Sequence, residues 1–287
     1  MKDFKNKIVV ITGAGSGIGK ATAIEFAKHG AKLAVNDYKI ENLSDLISQL
    51  KSMGTIYYAE GFDVSDKNAM KQFAENVKKN LGSTDVIMNN AGISPNGDNF
   101  MDEPIEYFEK VININFWGVV YGTKFFTPQL LENNKEAAII NISSLNGLVG
   151  SIGLVSYSSA KFAVRGFNES ISFELDKTNI TVHSVHPGGV NTNIGLVDKE
   201  GAKINDSFGN KFHSAYLKTT PETMAKAIIK GVQKKKFRIV AGERALEAYL
   251  GVLLLPFEMI KKIMLKDMYS KGLKEVIESK LFVKAKK

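Results

Sequence analysis

Two periodicities alternate along the chain. Short runs rich in β-branched residues at 8–12, 32–36, 56–62, 85–89, 138–143, 180–186 and 237–241 predict strands. Between them, 17–29, 41–53, 66–80, 104–133, 156–177 and 221–235 carry apolar residues at a period near 3.6 and predict helices. Strand–helix–strand repetition enforces parallel pairing, because each helix returns the chain to the same end of the sheet. Crossovers are then right-handed. The expected fold is α/β, a doubly wound parallel seven-stranded sheet with helices on both faces and a crevice at the strand C-terminal ends.

Two regions break the alternation. Residues 193–219 form a long connection rich in Gly, Asn, Lys and Asp, expected to be a substrate lid or binding loop. Residues 243–287 follow the last strand as a helical C-terminal extension. They hold YLGVLLLPFEMI and then a lysine-rich stretch with apolar Ile260, Ile263, Met264, Met268, Leu273, Val276, Ile277 and Leu281. Interruptions are expected at Pro256 and near Gly272.

Composition narrows the function classes. The 287 residues are 44% hydrophobic and 24% charged, ordinary for a globular protein with a sizeable core. Without cysteine there are no disulfides, cysteine nucleophiles or thiolate metal sites. His29, His183, His186 and His213 have no metal-ligand spacing, so no metal is expected, and His183 and His186 read as packing residues. The apolar run IVVI near the start is too short for a signal peptide, and no window suits a membrane span. A soluble, cytoplasmic protein is expected. The net charge of +8 is concentrated: residues 261–287 hold nine lysines against three acids, so no nucleic-acid groove is expected.

The glycines of TGAGSGIG, Thr12–Gly19, follow the first strand and open the first helix. Glycine permits a sharp turn and close approach of a phosphate, and the helix N-terminus favours pyrophosphate. Asp37 ends the second strand, where a carboxylate accepts from adenosine ribose hydroxyls and repels a 2′-phosphate. The spacing T-G-x-x-x-G-x-G, with Gly13, Gly17 and Gly19, resembles the short-chain dehydrogenase/reductase family, with its Rossmann-type fold. The resemblance covers roughly residues 5–242 and implies a dinucleotide-binding and catalytic domain over 1–242. It implies that Gly13, Ser16, Gly17, Ile18 and Gly19 meet the cofactor. NADP-dependent members often carry a basic residue where Ser16 stands, so Ser16 and Asp37 favour NAD, with NADP left open by the nearby Lys39. By the same resemblance Asp63 and Val64 flank the adenine, and Asn90, Ala91 and Gly92 of NNAG lie beside the cofactor. Pro187 and Gly188 make a rigid turn after the sixth strand, and Val190 and Thr192 match positions contacting the nicotinamide carboxamide.

Tyr157 and Lys161 are four residues apart and share one helix face. An ammonium nearby favours the phenolate, so the expectation is a lowered tyrosine pKa and proton exchange with an alcohol or carbonyl. Lysine also suits a hydrogen bond to the nicotinamide ribose. Ser144 stands thirteen residues before Tyr157, a spacing that matches the family, with its hydroxyl holding the substrate oxygen. Asn115 matches the family asparagine that anchors a water beside the lysine. The neighbouring candidates are Ser143 and Asn113. The implied catalytic set is Asn115, Ser144, Tyr157 and Lys161.

The loop between Ser144 and Tyr157, LNGLVGSIGLVS, carries no charge. Its Leu145, Leu148, Val149, Ile152, Leu154 and Val155 suit an apolar alcohol, ketone or aldehyde. The alternatives are an NADPH-dependent 3-oxoacyl thioester reductase and a dinucleotide sensor without turnover. The family's usual dimer surface falls on helices 104–133 and 156–177, so a homodimer or homotetramer is expected. The tail either packs on the domain or a partner subunit, shelters a pocket, or makes peripheral contact with an anionic membrane.

Overall fold

The computed structural model describes residues 1–95, 99–132, 135–192, 194, 215–274 and 277–278. Seven strands, β1 (Ile8–Thr12), β2 (Lys32–Asp37), β3 (Tyr57–Gly61), β4 (Val86–Asn89), β5 (Ala137–Ile142), β6 (Ile180–Pro187) and β7 (Arg238–Ala241), form one sheet. Their order is β3-β2-β1-β4-β5-β6-β7, and each pairing is parallel. The winding direction reverses between β1 and β4, which places a crevice outside the C-terminal ends of those strands.

Both faces of the sheet are covered, so alternate residues of one strand enter different cores. Val9 and Ile11 of β1 pack with Phe26, Leu33, Leu46 and Ile228. Ile8 and Val10 face the other way, toward Phe73, Ile87, Phe126 and Ile139. The covering helices are α1 (Gly17–Lys28), α2 (Ser44–Ser52), α3 (Lys67–Leu81), α4 (Ile105–Ile112), α5 (Gly118–Glu132), α6 (Val155–Glu174) and α7 (Pro221–Gln233). Asp66 caps α3 by accepting from the N–H groups of Asn68 and Ala69, and Thr220 caps α7 ahead of Pro221.

The single helix expected over 104–133 is interrupted. Between α4 and α5, residues Asn113–Trp117 form a π-helical turn, with the Gly118 N–H bonded to the Asn113 carbonyl. The rod stays continuous, so the apolar period passes through without a visible break. Most of the lid expected at 193–219 lies outside the described residues, with its charged Asp198, Lys199, Glu200, Lys203, Asp206 and Lys211, and so does His213. After β7 come α8 (Ala245–Leu254) and α9 (Phe257–Ser270), separated at Pro256, and Gly272 follows with φ +71°. Met268, Leu273 and Ile277 form a small third core against Ile152 and Tyr216, so the extension packs on the loop that precedes α6. Val276 and Leu281 lie outside the described residues. Among the described residues no helix is long and apolar enough to cross a membrane, and no cluster of three His, Asp or Glu side chains is placed to hold a metal.

Candidate active site

The glycine turn is built for close approach. Gly13 and Gly17 have φ of +64° and +52°, which disfavours any residue with a Cβ. A Cβ on Gly19 would lie 2.2 Å from the Gly13 carbonyl oxygen, and one on Gly13 would lie 2.7 Å from the Ala91 Cα. α1 begins at once, and its N-cap Ser16 makes no side-chain capping bond, so the first N–H groups of the helix face the crevice. Ile18 packs against the first core. The Asp37 carboxylate, at the tip of β2, accepts from the Gly15 N–H at 2.9 Å, the Tyr38 N–H at 2.9 Å and the Asn42 amide at 2.7 Å. It therefore fixes the glycine turn to the end of the second strand. These features, a cradle that side chains would fill and an uncapped helix start beside a carboxylate, fit a dinucleotide.

Asn90 joins β4 to the same turn. Its side chain donates to the carbonyls of Thr12 and Gly13, both at 3.0 Å, while the Thr12 hydroxyl accepts from the N–H groups of Asn90 and Ala91. Asp63 lies just beyond β3 and accepts from the N–H and hydroxyl of Ser65. The side chain of Val64 points into the second core, and a Cβ on Gly118 would sit 2.8 Å from it, so that side chain is taken up by core packing. Val190 is similar: its side chain is buried in the first core. Its segment bridges Thr219 through the Gly189 carbonyl and the Asn191 N–H, which turns the N–H and C=O of Val190 to the opposite side. Pro187 closes β6, and Gly188 passes so near Glu243 that a Cβ would meet its carbonyl at 2.2 Å. The Thr192 methyl lies 3.0 Å from where a Gly17 Cβ would stand, so this loop closes over the glycine turn.

The four expected catalytic residues come together beside this crevice. Tyr157 and Lys161 lie on α6, with the lysine Nζ 5.5 Å from the tyrosine ring centre. Lys161 is buried and donates to the Ile142 carbonyl at 3.0 Å, and burial pushes its pKa down to about 8. The Tyr157 phenol was expected to be lowered by the ammonium. In the chain itself burial dominates and raises it, and the Ser144 hydroxyl, hydrogen-bonded to the phenol, acts the other way. The phenol is therefore protonated at neutral pH before any ligand binds.

The geometry also separates the neighbouring candidates. Ser143 is buried and donates to the Lys161 backbone carbonyl at 2.9 Å, so it holds α6 against β5. Ser144 is the serine that reaches the phenol, and it also accepts from the Asn146 N–H. Asn113 is exposed, whereas Asn115 is buried in the π-helical turn and pairs with Ile93 through both its N–H and its carbonyl at 2.8 Å. A Cβ on Gly92 would meet Asn115 Oδ1 at 3.1 Å and Lys161 Nζ at 3.5 Å, which shows how closely the three residues converge.

Sequence reasoning missed the support beneath Ser144. His186 Nδ1 lies 3.0 Å from the Ser144 carbonyl, and Ser184, Asn168, Asn141 and Asn89 continue a buried polar chain behind it. The available signal was polar residues inside strands that are otherwise apolar, since a buried polar group needs a partner.

The sequence profile of the short chain dehydrogenase family matches residues 7–202. The chain belongs to the short-chain dehydrogenase/reductase family. It is similar to the Mycobacterium tuberculosis protein SadH, named as an oxidoreductase, at 37% identity over 251 residues, covering 85% of this chain and 89% of SadH. The crystal structure of a short-chain dehydrogenase/reductase from Burkholderia phymatum in complex with NAD superposes with a TM-score of 0.76 at 25% identity, covering 83% of this chain and 90% of that one. An alcohol dehydrogenase from Thermococcus sibiricus, complexed with 5-hydroxy-NADP, gives 0.69 at 25% identity, covering 82% and 94%. Membership makes the chain an oxidoreductase that uses a nicotinamide cofactor.

Proposed function

We propose that this short-chain dehydrogenase interconverts an apolar alcohol and its carbonyl compound, with Tyr157 as general acid and base and NAD as the preferred cofactor. The observation that carries the reading is the Tyr157 phenol beside the buried Lys161 and bonded to Ser144, at the end of the sheet where the glycine turn lies. When bound, the dinucleotide supplies the hydride acceptor or donor. Gly13, Gly17, Gly19 and the start of α1 would hold its pyrophosphate, and Asp37 its adenosine ribose. In the reducing direction Tyr157 gives its proton to the carbonyl oxygen as charge develops there, and Ser144 holds that oxygen. In the oxidising direction Tyr157 accepts the hydroxyl proton. The charge of Lys161 favours the phenolate that forms, and Asn115 keeps the strand-to-loop segment at Ile93 against the lysine.

Apolarity of the substrate is supported by the loop before Tyr157. Leu148 and Val149 are buried and Ile152 packs on the C-terminal extension, which leaves Leu145, Leu154 and Val155 as its accessible apolar residues. Exposed Trp117, Phe162 and Phe173 support self-association along α5 and α6, as a homodimer or a homotetramer.

Initial rates with NADH and NADPH, each against carbonyl compounds graded from small and polar to long and apolar, test the reading. Turnover with NADH is expected to rise along the apolar series. Turnover confined to NADPH, or to the small polar compounds, would refute it.

A further inference from the structure

The helices after β7 carry a surface that the catalytic chemistry does not use. In α8, Leu246, Leu250, Leu253 and Leu254 are spaced i, i+4, i+7 and i+8 and fall on one face. Spacing of this kind ordinarily marks a buried stripe. Here the stripe points outward: these four leucines and Phe257 are between 45% and 75% exposed, and the buried residue of α8 is Ala245. α9 repeats the arrangement. Met268 faces inward, while Met259 and Ile263 stand exposed beside the exposed Lys262 and Lys266. The two helices are joined through Leu254, Pro256 and Phe257, so the apolar surface runs on from one to the other.

A cationic cleft adjoins it. Leu246 and Tyr249 of α8 share a cleft of about 440 Å³ with Lys230 of α7, Lys234 just past its end, Lys236 and Arg238, and among the described residues no acidic side chain lines it. Arg238 is paired with Glu169 at 2.6 Å, which leaves the three lysines as its outward charge. An exposed leucine stripe bordered by lysines at the cleft and interleaved with lysines on α9 complements an anionic, greasy surface. The centre of a protein–protein interface is instead depleted in lysine.

We propose that α8, α9 and the cleft form a docking surface for an anionic lipid bilayer. Leu246, Leu250, Leu253, Leu254 and Phe257 enter the region beneath the headgroups, and the lysines of the cleft and of α9 meet the headgroup phosphates. Neither helix spans the bilayer, since they hold 10 and 14 residues. The extension also packs on Ile152 of the loop before Tyr157, so docking brings that loop next to the lipid. The surface does not depend on the catalytic reading, and its test has no activity readout.

Co-sedimentation of the full chain with phosphatidylcholine vesicles, with and without about 30% phosphatidylglycerol, tests the proposal. Partitioning onto the anionic vesicles is expected to exceed that onto the neutral ones by about tenfold and to weaken as salt screens the lysines. Leu250→Glu with Leu254→Glu, and separately Lys230→Glu with Lys234→Glu, are each expected to lower partitioning by about tenfold or more, with circular dichroism and melting temperature preserved. The lysine pair lies on the rim of a cleft and keeps the test informative should the leucine variant fold poorly. The proposal fails if the parent chain does not bind anionic vesicles, or if both variants bind as it does. A parent that ignores vesicles, and whose oligomer mass falls in the leucine variant, would make the stripe a contact between copies and refute lipid docking.

Discussion

His186 holds Ser144 by its backbone, with Nδ1 3.0 Å from the Ser144 carbonyl oxygen. A carbonyl only accepts, so Nδ1 carries the proton and Nε2 accepts from the Ser184 hydroxyl at 2.9 Å. Ser184 in turn accepts from Asn168, Asn168 from Asn141, and Asn141 from Asn89. Every donor in this buried chain points the same way, toward the serine that meets the Tyr157 phenol. The chain spans β4, β5, α6 and β6, so the placement of Ser144 depends on the stacking of all four elements.

That direction requires a neutral imidazole. Burial pushes His186, and likewise His183, down to about 4. An unfolded histidine titrates near 6.5, so between about 4 and 6.5 the folded chain binds fewer protons than the unfolded one. The contribution is fully present above about 6.5 and is lost as pH falls through that window, at up to about 3 kcal/mol for each histidine. Urea unfolding between those pH values should show a steep loss of stability, and His183→Gln with His186→Gln should flatten it. An unchanged slope in the double variant would assign acid sensitivity to carboxylates instead.

Lys161 follows the same sign in a higher pH window. Its folded pKa of about 8 lies below the ordinary 10.5, so the buried ammonium costs stability at neutral pH, and that cost disappears as pH rises from about 8 toward 10.5. Lys161→Met should raise stability at pH 7 by about 1–3 kcal/mol, after allowing for the lost bond to the Ile142 carbonyl. Turnover should fall by about 10²-fold or more. Thermal melts paired with rate measurements check both halves, and a variant that is less stable would show that the hydrogen bond outweighs desolvation.

Tyr157→Phe removes the proton that moves but leaves the glycine turn intact. Dinucleotide binding, followed by quenching of Trp117 fluorescence or by calorimetry, should be kept within about twofold, while turnover drops by about 10²–10⁴-fold. Undiminished turnover would transfer the acid–base role to another group.

Asp37→Ala should relax cofactor choice. With the carboxylate gone, the ratio of kcat/KM for NADH over NADPH is expected to fall about tenfold or more, since on the proposed reading the ribose contact and the repulsion of a 2′-phosphate would be removed together. The change also strips an acceptor from the N–H groups of Gly15 and Tyr38, so a stability loss of about 1–2 kcal/mol is expected alongside. A variant whose ratio equals that of the parent would place the selector elsewhere.

Two glycines in helices offer a matched contrast. A Cβ on Gly122 of α5 would lie 1.9 Å from Asn89 Oδ1, while one on Gly166 of α6 meets nothing within 4 Å. Gly122→Ala should push Asn89 out of the polar chain and cost about 2–4 kcal/mol. Gly166→Ala should stabilise by about 0.5–1 kcal/mol through helix propensity alone. Denaturant midpoints of the two variants provide the comparison.

Periodicity carried the sheet because strands β1 to β6 contribute residues to both cores, and the glycine turn, Asp37 and the Tyr157–Lys161 pair could be read as local patterns. What stayed hidden depends on distant partners. His183 and His186 read as packing residues, and both are buried, but the carbonyl that each faces is 53 or 42 residues away in sequence. The tyrosine pKa was read from its near neighbour, whereas desolvation by the whole domain sets its direction. In α8 the leucine spacing identifies a face and not what covers it, so a stripe patterned like a core face proves to be exposed.

The π-helical turn at Asn113–Trp117 sets the phase of everything after it. A π turn is wider than an α turn by one residue. Removing that residue would rotate α5 by about 100° relative to α4. Asn115 would leave Ile93, and by the same rotation Gly122 would leave Asn89 and Gln129 would leave the hydroxyl of Thr84 and the carbonyl of Ala74. The catalytic asparagine candidate and the core face of α5 are thus geared together by chain length. Point substitutions can tune either one, but a single deletion in this stretch would disengage both at once.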